Sequence, residues 1–459
     1  MTGKRTKRGH RAGGALEKWY NLKADLNHIP DPPLHPGTTI PVFKEEMEVI
    51  LPKSVAEFEY VEDKWLEIPE DLRKLYEKFR PTKLLYANRL KEYLETPAHI
   101  LYKMETQPGG GLLLSALAQV YYSKKDRAKR VVAGTASGLW GDAVSMASAL
   151  LNMESKVYVA KDSLKKRPYI SLKIAAFGSS SDGSPSAFTE PGRKKLASDP
   201  DSPGSLALAM SEAIWDAARR NDTRYAPLFW ADLTFIHSSP VGEETMDQLA
   251  DMGFAPDIVI GPACPESSFP GLISPFLRDI VSGENRVKLV AAEPAAFPVL
   301  SKGIYSYDFA DQSGLTPLFR MFTFGHSLTP PEIFAGGFRQ HSASPMMSLL
   351  KRNGVIETVS YAERDALEAA LLFAKTEGFL PNAETAYAVK AAIDMAIDAR
   401  EREEELTILL LVEGDPTADL NIYDVYVKGA LEEQVFPSNA VHEALKDLPE
   451  LRTKSATLV

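Results

Sequence analysis

Residues 99–122 read HILYKMETQPGGGLLLSALAQVYY and contain the pattern that decides the fold. The run 99–105 is rich in β-forming residues, and 112–122 has apolar residues every three to four positions, so the sequence predicts a strand, a glycine turn and a helix. Outward from this unit, the same alternation predicts strands at 130–134, 156–160, 257–261, 288–292 and 407–412 and a helix at 141–153. Because near-continuous apolar strands suit sheets covered on both faces, we expect an α/β fold with mostly parallel twisted sheets flanked by helices.

Some segments depart from this alternation and indicate the domain organisation. Residues 29–38 read IPDPPLHPGT and a helical pattern follows Pro69, so 1–70 is predicted to be an N-terminal extension that wraps the body. Residues 177–204 are rich in Ser, Gly, Asp and Pro, which predicts a long surface connection at a domain border. The remaining chain is divided into α/β domains at 71–222 and 223–435 and a tail at 436–459 with one or two helical turns.

Composition excludes several classes of protein. The 459 residues include a single cysteine, Cys264, so neither an internal disulfide nor a cysteine-rich zinc site is expected. The apolar stretches fall short of the roughly 20 residues that a membrane-spanning helix needs, and the basic N-terminus has no apolar run behind it. A net charge of -10 argues against a nucleic-acid partner. We therefore expect a cytoplasmic protein that binds neither a membrane nor nucleic acid.

Several longer segments resemble the tryptophan synthase β-chain family, specifically its second, longer branch, which has a pyridoxal-phosphate (PLP) fold of type II. They are IPDPPLHPGT (29–38), LEIPEDLRKLYEKFRPT (66–82), DPDSPGSLALAMSEA (199–213), EPAAFPVLSKGIYSYDFADQSGLTPL (293–318), PPEIFAGGFRQH (330–341) and TEGFLPNAETAYA (376–388). The resemblance extends over roughly residues 29–430. It implies two α/β domains, the first of which includes a mobile substrate sub-domain, and a homodimer.

The resemblance also shows which residues hold PLP in the family, and this sequence replaces them. The family loop G-S-H-K-P-N-T-A, whose lysine forms the Schiff base with PLP, aligns with 109–116 and places Leu112 at the lysine position. In E-T-G-A-G-Q-W-G the catalytic carboxylate aligns with Gly134. The phosphate turn G-G-G-S-N aligns with 264–268, where Pro265 lacks a donor and Glu266 would repel phosphate. Glu413 replaces the serine that meets the pyridine nitrogen. These changes predict that PLP is not bound.

An apolar cleft is expected in place of the cofactor, because leucines now stand at positions where the family has polar residues. Such a cleft would suit a hydrophobic small molecule, although the leucines are also compatible with simple core filling, and His237 with a structural histidine. The predicted substrate-binding residues are Gly110, Gly111, Leu112, Leu113, Leu114, Thr135, Ser137, Leu139, Trp140, His237 and Phe334.

Carboxylates near this cleft are the candidate catalytic groups, because burial in an apolar site raises a carboxyl pKa toward values that suit acid/base work. The candidates are Glu384, Glu413, Asp232 and Glu266, and Glu384 ranks first because it lies in the retained segment NAETAYA. The alternatives are a buried, hydrogen-bonded carboxylate for Glu384 and a solvated loop for Glu266. Cys264 is expected to be a buried, inert thiol.

Hypotheses from different functional classes remain open on the sequence alone. The leading one is a PLP-independent lyase or cyclase that uses acid/base residues and shape to cyclise or eliminate an apolar small molecule in specialised biosynthesis. A second is a catalytically silent homologue that binds a partner subunit. A third, tryptophan synthesis from indole and serine, would need a lysine from outside the cleft. An open, ligand-sized cleft would favour the enzyme, and a collapsed cleft the silent homologue.

Overall fold

Parallel sheets form the framework of the molecule, as the sequence predicts. The computed structural model describes residues 16–106, 110–228, 233–284, 286–415 and 417–451, and Asp232 lies outside these ranges. The strands are β1 (Lys18–Tyr20), β2 (Trp65–Glu67), β3 (Leu84–Tyr86), β4 (His99–Thr106), β5 (Arg130–Thr135), β6 (Glu154–Ala160), β7 (Ser180–Ser184), β8 (Thr223–Tyr225), β9 (Ile258–Pro262), β10 (Lys288–Pro294), β11 (Ile304–Phe309), β12 (Leu318–Thr323), β13 (Ile356–Tyr361) and β14 (Thr407–Gly414).

Helices alternate with these strands along most of the chain. They are α1 (Lys44–Met47), α2 (Lys53–Phe58), α3 (Glu70–Tyr76), α4 (Asn88–Leu94), α5 (Gly111–Lys125), α6 (Leu139–Leu151), α7 (Lys161–Lys166), α8 (Ile170–Ala176), α9 (Glu190–Ser198), α10 (Leu206–Ala218), α11 (Leu233–His237), α12 (Pro240–Met252), α13 (Phe269–Val281), α14 (Val299–Lys302), α15 (Pro345–Arg352), α16 (Glu363–Glu377), α17 (Ala383–Glu401), α18 (Leu420–Val427) and α19 (Ser438–Ala444). In the described residues, no helix is long and apolar enough to cross a membrane.

The larger sheet has six strands in the order β13-β10-β9-β14-β4-β3. All neighbouring pairs are parallel except β3 and β4, which are antiparallel. Strand β14 is buried along its whole length, and helix α17 packs against β9, β10 and β14. A strand covered in this way has no polar face to present to water, which explains its continuous apolar run.

The smaller sheet is parallel, in the order β7-β6-β5-β8, and α6 and α10 pack against β5 and β6. It corrects the prediction that 177–204 is only a surface connection, because this segment contains β7 and α9. The misleading signal was the sequence SSDGS of β7, which has turn-forming residues but lies at the edge of the sheet beside β6.

The N-terminal extension is tied to the body by backbone hydrogen bonds. Within the extension β1 pairs with β2, and the extension is joined to the body where the N–H of Tyr20 donates to Oγ of Ser239 at 2.9 Å. Leu34 and Leu318 exchange backbone hydrogen bonds of 2.9 Å. The predicted division into domains stays a prediction, but β3 and β4, which come from the predicted first domain, belong to the same sheet as strands of the predicted second domain.

Candidate cofactor and substrate site

The candidate site lies where the parallel strands of the larger sheet end. Glu413 is at the end of β14 and is directly opposite Glu105 of β4 in the sheet register. Glu266 follows the end of β9, the other neighbour of β14. The carboxyl ends of parallel strands meet at one edge of the sheet, which is the usual place of ligand sites in open α/β folds. Residues far apart in the sequence are therefore brought to one site.

The turn between β5 and α6 presents hydrogen-bond donors to this site. Gly138 has a φ of +91°, and a Cβ atom there would lie 2.8 Å from the side chain of Ile170, so the turn requires glycine. Oγ of Thr135 accepts from the N–H of Gly138 at 3.0 Å, and Oγ of Ser137 accepts from the N–H of Leu139 at 3.0 Å. These bonds hold the turn with the N–H groups of residues 136 and 137 available to an anion.

The carboxylate of Glu266 occupies these donors. Its Oε2 accepts from the N–H of Ala136 at 2.9 Å and of Ser137 at 2.5 Å, and its Oε1 accepts from Oγ of Thr135. Glu266 is completely buried. An internal carboxylate of the chain is therefore bound at this turn.

A second internal carboxylate, that of Glu413, occupies the loop before α13. Oε1 of Glu413 accepts from the N–H of Ser268 at 2.7 Å and from its Oγ at 2.5 Å, and Oε2 accepts from Oγ of Ser267. This loop aligns with the phosphate turn of the family. Burial raises the pKa of the Glu413 carboxyl to about 7, although its serine donors favour the charged form.

The raised pKa of Glu413 makes stability depend on pH. The folded chain holds this proton more tightly than the unfolded chain, so the resulting stabilisation is fully present below pH 4.5 and is lost as the pH rises toward about 7. Glu413→Gln should remove the part of this loss of stability that Glu413 causes, up to about 3 kcal/mol. The free energy of unfolding of the variant should therefore change less with pH between 4.5 and about 7. Chemical denaturation at a series of pH values measures the free energy of unfolding of the variant and the wild type. Glu357→Gln is the control, because Glu357 is an exposed carboxylate. A curve parallel to wild type would contradict the assignment.

Glu384, the first-ranked catalytic candidate, lies in a buried ion-pair network. Its carboxylate oxygens lie 3.0 and 3.1 Å from Nη2 of Arg167 and also accept from the N–H of Gly337 and Nδ2 of Asn382, each at 2.9 Å. Burial raises its pKa, while Arg167 opposes the shift. Arg167 also donates to Asp419 through Nε and Nη2. All these bonds constrain the position of Glu384, and its catalytic role stays a prediction.

Arg167 and Asp419 were not identified as site residues from the sequence. Arg167 follows the helix α7, in the basic run KDSLKKRP, which has the composition of a solvated surface. In the structure both side chains are buried, and Nη1 of Arg167 donates to the carbonyl of Ser137 at 3.1 Å. The network therefore connects α7 to the β5–α6 turn, to α17 and to the start of α18. No local pattern indicates a contact between residues 252 positions apart.

The space beside Cys264 is too small for a substrate. A cavity of about 30 Å³ lies there, which holds about one water molecule, whereas ligand pockets measure roughly 300 to 1,000 Å³. Leu112, Leu113 and Leu114 are buried in the hydrophobic core. The expected ligand-sized apolar cleft is thus not found beside Cys264. Burial, with nearby carboxylates, raises the pKa of the Cys264 thiol well above its usual value, as an inert thiol requires.

The other predicted binding residues are placed in different surroundings. Nε1 of the buried Trp140 donates to the carbonyl of Ala226 at 3.1 Å. His237 is buried against Trp19, with 5.0 Å between ring centroids, and burial lowers its pKa to about 3. These contacts are structural, and the predicted binding roles stay untested.

Phe334 lies under the ammonium group of Lys166, 4.7 Å from the ring centroid, at a cavity of about 540 Å³. Gly111 lies against Ser268, since a Cβ atom on this glycine would be 2.5 Å from Cβ of Ser268. Leu139 is buried, and Gly110 begins α5 as its N-cap. Of the binding candidates, Thr135 and Ser137 thus contact a predicted catalytic carboxylate, Glu266.

Solved structures share this arrangement of sheets and helices. An L-serine ammonia-lyase from Rhizomucor miehei matches with a TM-score of 0.56 at 19% identity, covering 76% of this chain and 98% of that one. O-acetyl serine sulfhydrylase isoform 3 from Entamoeba histolytica matches with a TM-score of 0.54 at 16% identity, covering 82% and 96%. The model of the family described as pyridoxal-phosphate dependent enzyme matches residues 75–414. The fold is therefore the PLP fold of type II.

The chain belongs to the tryptophan synthase β-chain family. Tryptophan synthase beta chain 2 of Aquifex aeolicus is 40% identical over 426 residues, which cover 92% of this chain and 98% of the relative. The proteins of the same name from Pyrococcus abyssi and Thermotoga maritima are 39% and 41% identical, over 92% and 88% of this chain and 96% of each relative. The resemblance drawn from the sequence is confirmed.

These matches correct the predicted function and cofactor. A PLP-independent lyase or cyclase that needs no cofactor is contradicted, because the family model describes PLP-dependent enzymes and the matching relatives are tryptophan synthase chains. The prediction that PLP is absent gave too much weight to a few changed motif positions. It gave too little weight to the similarity to tryptophan synthase chains, which extends over about nine-tenths of the chain. Membership in an enzyme family is established, whereas the predicted homodimer, the cytoplasmic location and the apolar substrate are not.

The residues of the site nevertheless do not fit PLP in the position that the family resemblance implies. The buried Leu112 stands at the lysine position and has no amine. The N–H groups of Ala136 and Ser137 are bound to Glu266, and that of Ser268 is bound to Glu413. Two donor sets that fit anions are present, but both are filled by carboxylates of the chain itself. In this conformation the residues do not fit the cofactor, and no catalytic step through it follows.

Proposed function

We propose that this chain works as a β-type chain of the tryptophan synthase family and that its reaction is the one for which its relatives are named, with PLP bound after Glu266 and Glu413 leave the donor loops and without a bond to residue 112. The observation that carries the proposal is identity of 39–41% over 88–92% of the chain. The relatives are themselves covered over 95% or more of their length by the same alignments. The family model matches residues 75–414, which include all the strands of both sheets and the residues of the candidate site.

The donor groups of these loops also support a site for an anionic ligand. A turn held by Gly138 presents two N–H groups and the hydroxyl of Thr135, and the loop before α13 presents the N–H of Ser268 and two hydroxyls. Such clusters of donors bind carboxylate or phosphate strongly. They become available to a ligand when Glu266 and Glu413 move away.

A second candidate is a non-catalytic β-type chain that acts through a partner chain. The specific observation that favours it is the combination of Leu112 at the lysine position with two buried carboxylates on the anion donors. The cavity of about 30 Å³ beside Cys264 agrees with this candidate, because it is too small to hold a substrate. A chain with a collapsed cleft would act by binding a partner chain through its surface.

Tryptophan formation tests the first candidate. The purified chain is incubated with PLP, L-serine and indole, and tryptophan is measured by mass spectrometry; product above the protein-free blank is expected. Gly138→Val should remove this product, because a β-branched residue at φ +91° deforms the donor turn. Gly178→Val is the matched control, because Gly178 is also left-handed, with φ +82°, but is exposed with open space around it.

A negative result in this assay would distinguish between the two candidate functions. A folded chain that forms no tryptophan at any PLP concentration overturns the first candidate. The second then predicts a stable complex with a tryptophan synthase α-type chain, measured by size-exclusion chromatography with light scattering. Absence of that complex would overturn the second candidate as well.

A further inference from the structure

A large cavity lies between the N-terminal extension, the end of α10 and the 314–317 loop. Its volume is about 550 Å³, within the roughly 300 to 1,000 Å³ of small-molecule pockets. Its lining residues differ from those of the site described above. The apolar part of its wall is formed by Val42, Met47, Ile50, Ile214, Trp215 and Leu315. This wall is suited to an apolar or aromatic group.

Charged side chains also line this cavity and lie close to one another. The guanidinium of Arg219 stacks over the ring of Trp215, 4.3 Å from its centroid, and Nη2 of Arg219 lies 3.7 Å from Oε2 of Glu190. The other oxygen of Glu190, Oε1, pairs with Nζ of Lys194 at 2.8 Å, so Oε2 is the oxygen that faces Arg219. At 3.7 Å this contact is too long for a hydrogen bond, and the Arg219 side chain is 60% exposed. The guanidinium is therefore accessible to a carboxylate from solution, and a second carboxylate, Glu46, also lines the cavity.

The spacing of these charges indicates a class of ligand. In an α-amino acid, the ammonium and carboxylate groups are joined through one carbon, so a cation and an anion side by side match them. A guanidinium binds a carboxylate through two parallel hydrogen bonds and also stacks on aromatic rings. The adjacent apolar wall would then enclose the side chain of the amino acid.

We propose that this cavity binds an aromatic amino acid, with its ring against Trp215, Ile214 and Met47, its carboxylate on Arg219 and its ammonium on Glu190. The site is independent of the reaction proposed above, because its lining includes neither donor loop of the cleft. Aromatic rings supply a large buried area and stack with Trp215, whereas a small polar amino acid would leave the apolar wall in contact with water.

Calorimetric titration of L-tryptophan into the full chain, without PLP or serine, tests this site. Binding of one equivalent is expected. Indole, which lacks the charged groups, and L-serine, which lacks the ring, should each bind roughly tenfold more weakly or worse. Tryptophan binding no tighter than that of indole would overturn the assignment of the charged groups, and no measurable heat with tryptophan would overturn the site.

Variants locate the binding. Arg219→Ala should weaken tryptophan binding roughly tenfold or more, because the charge-assisted bonds are lost. Ala218→Phe, which fills the cavity from its rim, should abolish it. The matched control is Arg220→Ala, since Arg220 is an exposed neighbour that pairs with Asp222 and does not line the cavity. Equal affinities of the Arg219→Ala and Arg220→Ala variants, both with wild-type melting temperatures, would place binding elsewhere and overturn the proposal.

Discussion

Arg167→Met is expected to lower the free energy of unfolding by about 3–5 kcal/mol. Arg167 donates to both carboxylates of its network, those of Asp419 and Glu384, and all three side chains are buried. Methionine keeps much of the volume but leaves two buried carboxylates without their cation, and it also removes the bond to the carbonyl of Ser137. Chemical denaturation of the variant and the wild type in the same buffer measures the difference.

Neutralising the carboxylates should restore most of that loss. In the triple variant Arg167→Met, Glu384→Gln, Asp419→Asn no charge remains in the network, so stability should return to within about 2 kcal/mol of wild type. Arg193→Met is the control, because Arg193 is exposed and surface substitutions usually change stability by less than about 0.5 kcal/mol. A cost below about 1 kcal/mol for Arg167→Met alone would show that the network does not hold these elements together.

The triple variant Leu112→Lys, Glu266→Gly, Glu413→Ser is expected to bind PLP at least about 100-fold more tightly than wild type. The lysine supplies an amine at the family position. The two other changes free the N–H groups of residues 136, 137 and 268, and each charge-assisted hydrogen bond that a ligand regains contributes about 1.5–3 kcal/mol. Absorbance titration with PLP, followed by borohydride reduction and mass spectrometry of the peptide containing position 112, measures this.

Variants with only some of these substitutions distinguish the effect of the new amine at position 112 from the effect of removing the two carboxylates. Leu112→Lys alone is expected not to raise tryptophan formation to the level of the relatives, because Glu266 and Glu413 still fill the donors and Gly134 provides no carboxylate. Glu266→Gly with Glu413→Ser should increase PLP affinity without a reducible adduct at position 112. If Leu112→Lys alone matches the triple variant, the internal carboxylates do not obstruct the site.

Much of the framework could be predicted from the sequence. The strand predicted at 99–105 is β4, and the strand predicted at 407–412 is β14, with bounds that differ by two residues or fewer. The segment 177–204 was assigned wrongly, because the polar edge strand β7 has the composition of a turn. Its strand structure depends on hydrogen bonds to β6, which composition does not indicate.

By itself, the sequence determined the parallel α/β framework and the family, because hydrophobic periodicity and extended motifs are encoded along contiguous residues. It also showed that Leu112 replaces the family lysine. Only the tertiary structure decided that Glu266 binds the turn at Thr135, 131 residues away, and that Glu413 binds Ser267, 146 residues away. The contact of Glu413 arises because parallel strands β9 and β14 end at the same edge of one sheet, whereas the contact of Glu266 joins the loop after β9 to the end of β5 in the smaller sheet. Both depend on the order and packing of the strands across the whole chain.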